Sequence, residues 1–553
     1  MEGHPETPSQ MIVGDWKKLL VAAGLVCLCT VEISSARELA LQEVSLSLPG
    51  VPSLVLPADV DQDGKLDLVV VVAYTEWDQI DIQEVSEMQG VEGLVEILTV
   101  IPALTDRREL WVFRSKETGG YEPLGDALPL DLTVLSMAAT EDGARVLALT
   151  DRGASVLRLQ KEESGPRLEL VPWVDRPPVL AGSGTFLPNL ELLHDLNGDG
   201  AEDLLLPTRD GLAVILGPVG EALPVVASLS KLPGEERRVD GEVVLHYPMP
   251  VLRKVDGDGL PDLLVPDLNR HWRRFHVLRS GSEGRFALPL ELPPDLEIKG
   301  HPIAYFGDLD GDDLAEYVTE EDLSDDDAGM RKEVREAKRP PVRYRLHRAG
   351  EDLAMEENPY EQFESIGYAF EEGDDSEFQL PAGFQDLDGD GRQDLISITL
   401  EFSLLKALSI LATQRISIGL DFHVWCQDES GAFKAVDDLD LSGRFRLNLK
   451  NLRVSQLSQF AGDFDGDGRT DFVQIGRGRK VTIHRGREGC RFPAEPDLLI
   501  RLTEEPQDLS LVQVRDLDGD GRADLMVTQP EGRREMGVTP RARLDLHLSG
   551  VGQ

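Results

Sequence analysis

Beyond the first few dozen residues, the apolar positions fall into short runs separated by stretches rich in Gly, Asp and Asn. One recurrent form alternates apolar residues, turns at or near a Gly and returns with an aromatic. Leu110-Trp111-Val112-Phe113-Arg114 with Gly120-Tyr121 is the first, and Phe275–Arg279 with Arg285-Phe286 is similar. Phe422–Trp425 with Ala432-Phe433 and Val481–Arg485 with Arg491-Phe492 repeat it. Each predicts a β-hairpin. Ahead of the hairpin lie two further strands joined by an acidic loop, as where Leu68–Val72 follows Asp67. The unit is therefore four short antiparallel strands, and many such units in a row are the pattern of propeller blades.

The joining loops share a nine-residue pattern, seen first as Asp59-Val60-Asp61-Gln62-Asp63-Gly64-Lys65-Leu66-Asp67. Asp195–Asp203, Asp386–Asp394, Asp463–Asp471 and Asp516–Asp524 are also intact, whereas Lys254–Asp262 starts with Lys and Asp308–Glu316 has Asp313 where Gly belongs. The interval between Asp59 and Asp195 is unusually long. Within it, Thr140-Glu141-Asp142-Gly143, then Val146–Thr150 and Ser155–Leu159, fit an eighth unit whose loop has lost its acids. The last unit ends after Leu544–Leu548 without a fourth strand, and Glu38–Leu48 precedes the first loop without a unit of its own. Pairing the two removes both exposed sheet edges. The expected fold is all-β: a propeller of eight four-stranded blades, with seven as the alternative, closed by the N-terminal strand.

Helical spacing interrupts the pattern twice. Val91, Leu94, Val95, Leu98 and Ile101, and later Leu404, Leu405, Leu408 and Leu411, predict short helical insertions near 78–104 and 402–414. They would cover the side or rim of the propeller, or offer a docking surface. A charged insertion near 320–377 carries Asp325-Asp326-Asp327 and the base-rich Arg331–Arg339, with Val342–Leu346 as a blade strand inside it.

The N-terminus reads differently. Lys17-Lys18 precede the uncharged run Leu19–Val31, and Ser34-Ser35-Ala36 follow. That run is too short for a membrane-spanning helix, which needs about 20 residues, and the arrangement resembles a secretory signal peptide over residues 1–36. The propeller would then occupy 37–553 and be secreted, periplasmic or held at the cell surface, with Cys426 and Cys490 as its remaining cysteines. An excess of 101 Asp+Glu over 56 Lys+Arg leaves a net charge of −45, which disfavours nucleic acid and anionic lipid and favours cations.

Four carboxylates in one tight loop repel one another unless a cation sits among them. Side chains at positions 1, 3 and 5, the position-7 carbonyl and a two-oxygen acid at position 9 supply six oxygens, a set that suits Ca2+ better than the stricter octahedron of Mg2+. The candidate metal ligands are Asp59, Asp61, Asp63 and Asp67; Asp195, Asn197, Asp199 and Asp203; Asp308, Asp310, Asp312 and Glu316; Asp386, Asp388, Asp390 and Asp394; Asp463, Asp465, Asp467 and Asp471; and Asp516, Asp518, Asp520 and Asp524. Five to six calcium sites are expected. The Asp308–Glu316 loop should bind weakly. The Lys254 loop should bind none, its ammonium pairing instead with Asp256, Asp258 and Asp262.

These units resemble FG-GAP/VCBS repeats, the repeats of integrin α-chain propellers, and Phe306-Gly307 before Asp308 keeps the dipeptide of the name. The resemblance implies calcium held in blade hairpins and extracellular adhesion or recognition of a glycan or protein ligand. Two other readings stay open: a scaffold propeller without a small ligand, and a polysaccharide lyase-like enzyme on the same fold. No nucleophile elbow, phosphate loop or paired zinc-spaced histidines occur, so no catalytic role is expected. His276, His347, His423, His484 and His547 recur in the hairpin strands, either packed between blades or ringing a channel.

Overall fold

The computed structural model describes residues 36–549 apart from 76–104, 324–339, 370–382, 402–414, 532–540 and shorter segments, most of them between 179 and 302. The signal-peptide expectation for 1–36 and both helical insertions fall almost wholly outside the described residues. Among the described residues the regular secondary structure is all strand apart from one 3-10 turn at Leu509–Leu511.

Eight blades follow one another along the chain. Their first strands are Val51–Ala58, Val134–Ala139, Leu193–His194, Val251–Arg253, Ile303–Asp308, Phe384–Gln385, Arg453–Phe460 and Val512–Arg515. Each pairs antiparallel with the next strand in sequence, and the third and fourth strands continue the ladder outward. The unit that lost its acidic loop is an ordinary blade, with Val146–Thr150 and Gly153–Glu162 as its second and third strands. Inside the charged stretch, Pro341–Arg348 and Glu361–Ile366 complete the fifth blade. The sixth and seventh blades are stitched together by Ser442–Asn448, which pairs with Arg415–Gln427 on one side and Arg453–Phe460 on the other.

The second strands are apolar without alternation because both of their faces are buried. Leu68 to Val72, Leu204 to Leu206 and Leu263 to Val265 are each at most 1% exposed. A sheet packed between two neighbouring sheets has no solvent face, so the usual period of two disappears. Eight hydrophobic clusters among the described residues make the same point, one at each junction of adjacent blades. Leu205, Val214, Leu263 and Val265 join the third and fourth blades. Phe422, Phe460, Phe472 and Phe492 join the sixth and seventh.

The eighth junction closes the circle. Gln42–Leu48 pairs antiparallel with Arg541–Leu548 in continuous register from Gln42↔Leu548 to Leu48↔Ala542, supplying the last blade's missing strand. Leu46, Leu48, Met526 and Leu544 of that blade then pack on Val55, Leu68 and Val70 of the first. Ser45 donates its hydroxyl to Asp545 Oδ1 at 2.6 Å, and Arg543 grips the same carboxylate through Nε and Nη2 at 2.7 and 2.9 Å. Arg37–Glu38 runs parallel to Leu498–Arg501 of the seventh blade, so the N-terminal segment spans two blades.

Candidate metal centre

Each acidic loop links the first and second strands of a blade, and its fold follows from its own side chains. In Asp386–Asp394, Asp386 accepts the Gly389 and Gly391 amides at 2.7 and 2.9 Å, and Asp390 accepts the Arg392 amide at 2.9 Å. Carboxylates bonded to amides a few residues on wind the chain into a tight turn. Position 6 needs a left-handed backbone: Gly391 has φ 86°, and Asp313, the exception, adopts φ 67°, a conformation Asp tolerates.

The closing acid at position 9 begins the second strand and is buried in every loop. Asp67, Asp203, Asp262, Glu316, Asp394, Asp471 and Asp524 are all at most 1% exposed. Two amides hold each of the intact ones: Asp394, for example, accepts Leu387 N and Gln427 N, both at 2.9 Å. Those two bonds do not offset the loss of water. Burial pushes Asp67 and Asp203 up to about 6, Asp394, Asp471 and Asp524 up to about 7, and Glu316 up to about 8. Carboxylates this buried favour the protonated form unless a cation stands close by.

Oxygens of positions 1, 3 and 9 converge. In Asp59–Asp67, Asp308–Glu316, Asp386–Asp394 and Asp463–Asp471, one oxygen from each of these three acids lies within 4.8 Å of the others. Position 5 is not part of these gathered sets; its carboxylate caps the following turn, as Asp63 does for Lys65 N at 3.0 Å. At position 3, Asp61, Asp310, Asp388 and Asp465 each keep a buried Oδ1 without a hydrogen-bond partner. A hard cation fits this all-oxygen set, with positions 1, 3 and 9 as its core and position 5 and the position-7 carbonyl as further donors.

The loops touch one another around the ring. Gln393 N donates to Leu309 O at 2.9 Å, Thr470 N to Leu387 O at 3.0 Å and Ala523 N to Asp463 O at 2.6 Å, each across a blade junction. Gly519 of the last blade faces the Leu66 side chain of the first, which also lies against Gly143 of the second. All eight turns therefore share one end of the molecule.

Lys254 does not serve its own loop. Its Nζ lies 2.7 Å from Asp313 Oδ1 of the next blade rather than pairing with Asp256, Asp258 and Asp262. The left-handed turn at Asp313 presents that carboxylate across the junction. The cation beside Asp256 is Arg279, at 3.9 Å. In the next loop, Arg348 stands 3.7 Å from Asp310 and 3.6 Å from Glu316. Arg279 was visible in the sequence as the last residue of a hairpin run, whereas Arg348 lies two residues beyond the predicted strand Val342–Leu346; only pairing of the strands shows which loop each faces.

Three of the hairpin histidines, His347, His484 and His547, are buried in the framework. His347 and His484 are buried, and their Nδ1 atoms lie 2.9 and 2.8 Å from the carbonyls of Glu356 and Pro493. His423 Nε2 meets Thr399 Oγ1 at 3.1 Å. Cys426 and Cys490 form a disulfide between the sixth and seventh blades. A cavity of about 570 Å³ opens where the acid-free second blade meets the first, lined by Asp59, Asp61, Arg145, Arg158 and Lys161.

The model of the FG-GAP-like repeat family matches residues 463–527, which hold the seventh blade from its loop onward and the eighth to its second strand. Five more acidic loops and the acid-free turn occupy the same place in their blades, so the chain is an eight-bladed β-propeller of FG-GAP-type repeats. A comparison with curated proteins found no match. Among solved structures, the chain resembles an Agrocybe aegerita lectin described as recognising non-reducing terminal N-acetylglucosamine. Identity is 14%, coverage 63% of this chain and 75% of that one, and the TM-score 0.35. It also resembles the WD40 domain of Toxoplasma gondii coronin, at 9% identity, 94% and 90% coverage and a TM-score of 0.28. A Trichoderma reesei carbohydrate-active enzyme of family AA12 shows 11% identity, 78% and 95% coverage and a TM-score of 0.25. Likenesses this distant bear on neither ligand nor activity. No helix among the described residues is long and apolar enough to cross a membrane.

Proposed function

We propose that this chain is an exported, calcium-stabilised propeller that acts as a non-catalytic binding module for a glycan or an extracellular protein. The observation that carries the metal reading is the repeated pairing of a buried closing acid with an unpartnered position-3 oxygen, as at Asp388 and Asp394. An inter-blade disulfide supports an oxidising compartment. For the ligand, the cavity beside Asp59 is the best candidate: a pocket edged by Arg145, Arg158 and Lys161 suits a polar ligand bearing an anionic group.

Two measurements test this. Calcium titrated into chelator-treated protein should release or absorb heat at several sites and raise the melting temperature, because a ligand that prefers the folded state stabilises it by mass action. No heat and no thermal shift would refute the metal reading. A glycan array probed with and without calcium, and repeated with Arg158→Ala, should show binding that the substitution weakens. Silence on the array, together with no extracellular protein partner, would leave a scaffold propeller.

A further inference from the structure

One position recurs in each of the seven blades that carry an acidic loop and faces that loop from outside it. Pairing between the second and third strands places Leu68 opposite Phe113, Leu263 opposite Leu278, Phe472 opposite His484 and Leu525 opposite His547. One step along each ladder, the closing acid stands across from the next residue of the third strand, a pairing present outright as Glu316↔Arg348. Directly opposed residues of an antiparallel pair project from the same face. In four blades this residue is Arg114, Arg279, Arg348 or Arg485.

All four reach the position-3 aspartate of their own loop. Arg114 lies 3.9 Å from Asp61, Arg279 3.9 Å from Asp256, Arg348 3.7 Å from Asp310 and Arg485 2.7 Å from Asp465. The other three acidic loops face Leu216, Cys426 and Leu548 there. One of these has relieved its charge by another route, with Asn197 at position 3 donating to Asp199 at 3.1 Å. The remaining two, Asp386–Asp394 and Asp516–Asp524, keep all four carboxylates, and Asp388 is met by the neutral Gly489 amide at 2.8 Å. Charge compensation is thus distributed unevenly around the ring.

We infer that the third-strand residue opposite the closing acid sets each loop's dependence on metal. An arginine there acts as a built-in counter-cation that partly replaces the ion, whereas Cys426 and Leu548 leave their loops reliant on it. This rests on the calcium reading above. A guanidinium beside the position-3 carboxylate offsets part of its charge in the empty state, while leaving one oxygen unpartnered at Asp61, Asp310 and Asp465, and repels an incoming cation, so it raises metal-free stability and lowers metal affinity together. The loops facing Cys426 and Leu548 have no such guanidinium at position 3; in the first of them Arg392 pairs instead with Asp390 at position 5, away from the three gathered oxygens. Metal loss would therefore strain the sixth and eighth blades first, the latter being the blade that closes the ring.

The experiment uses the full chain, with melting temperature read in chelator and in saturating calcium, and calcium stoichiometry by calorimetry. Arg485→Gln should lower the chelator melting temperature by several degrees and recover most of that loss in calcium, so its calcium-induced shift exceeds the parent's. Arg348→Gln should repeat this in the fifth blade. Asp388→Asn should do the reverse, raising the chelator melting temperature and removing one calcium site. If both arginine variants lose the same amount with and without calcium, the arginines are merely structural and the inference fails while the calcium reading stands. If the parent itself shows no calcium shift, the calcium reading falls and takes this inference with it.

Discussion

At the scale of single residues, the acidic loops show how a side chain earns its identity from a backbone contact. Position 4 of each loop is usually Gly because the neighbouring loop arrives there: a Cβ on Gly389, at φ +75°, would sit 2.4 Å from Gly468 O. Gly389→Ala must therefore strain the left-handed backbone, at roughly 1–2 kcal/mol, and push two blades apart as well. A lower melting temperature in both calcium and chelator is expected. An unchanged one would mean the loops do not abut. His347 makes a second prediction. Burial holds its imidazole below the usual 6.5, so the folded state keeps it neutral while the unfolded chain takes up a proton. Its contribution is fully present above about pH 6.5 and is lost as pH falls from there through the lower folded value. His347→Asn keeps a donor for Glu356 O but removes the titration. In calcium, its melting temperature should fall less steeply than the parent's between about pH 7 and pH 5.5.

Elements explain why blades stay in register. A blade's outer faces are apolar, but apolar contact alone is indifferent to sliding; the loop-to-loop amide bonds and the Cys426–Cys490 link are not. The disulfide closes a loop of 64 residues, for which chain-entropy arguments give about 4 kcal/mol. Cys426→Ser with Cys490→Ser, or reduction of the parent, should lower the melting temperature clearly, with calcium present or absent. A shift of less than about a degree would show that the two blades are already locked by their aromatic contacts, Phe422 on Phe472 at 5.1 Å among them.

At the scale of the whole molecule, ring closure is the decisive event. Each blade buries its faces only against two neighbours, so a gap at one junction exposes two apolar sheets and two strand edges. The strap Gln42–Leu48 seals that gap, with Leu46 and Leu48 facing the first blade. Replacing both by Asp should unzip the eighth blade, lower the melting temperature by many degrees and promote association in light scattering, whereas Asp at the exposed Glu43 position should do little. An intact monomer with parental stability would show that the strap is dispensable.

Much of this was legible in the chain itself. Seven acidic nine-residue loops and a decayed eighth are local patterns, each decided by turn chemistry within a few residues, and they set the number of blades. The unpaired run at Glu38–Leu48 and the missing last strand even foretold the closure. Local pattern could not say which cation faces which loop. Lys254 lies beside its own acids in sequence, yet its flexible ammonium crosses the junction to Asp313, while Arg279 arrives from a later strand. The pairing of Cys426 with Cys490, and the interior place of His347, His484 and His547, were likewise decided by strand register and blade docking. Turns and strands are short-range consequences of side-chain shape and hydrogen bonding; the neutralisation of a buried charge depends on whatever the fold brings within a few ångströms, and distance along the chain does not measure that.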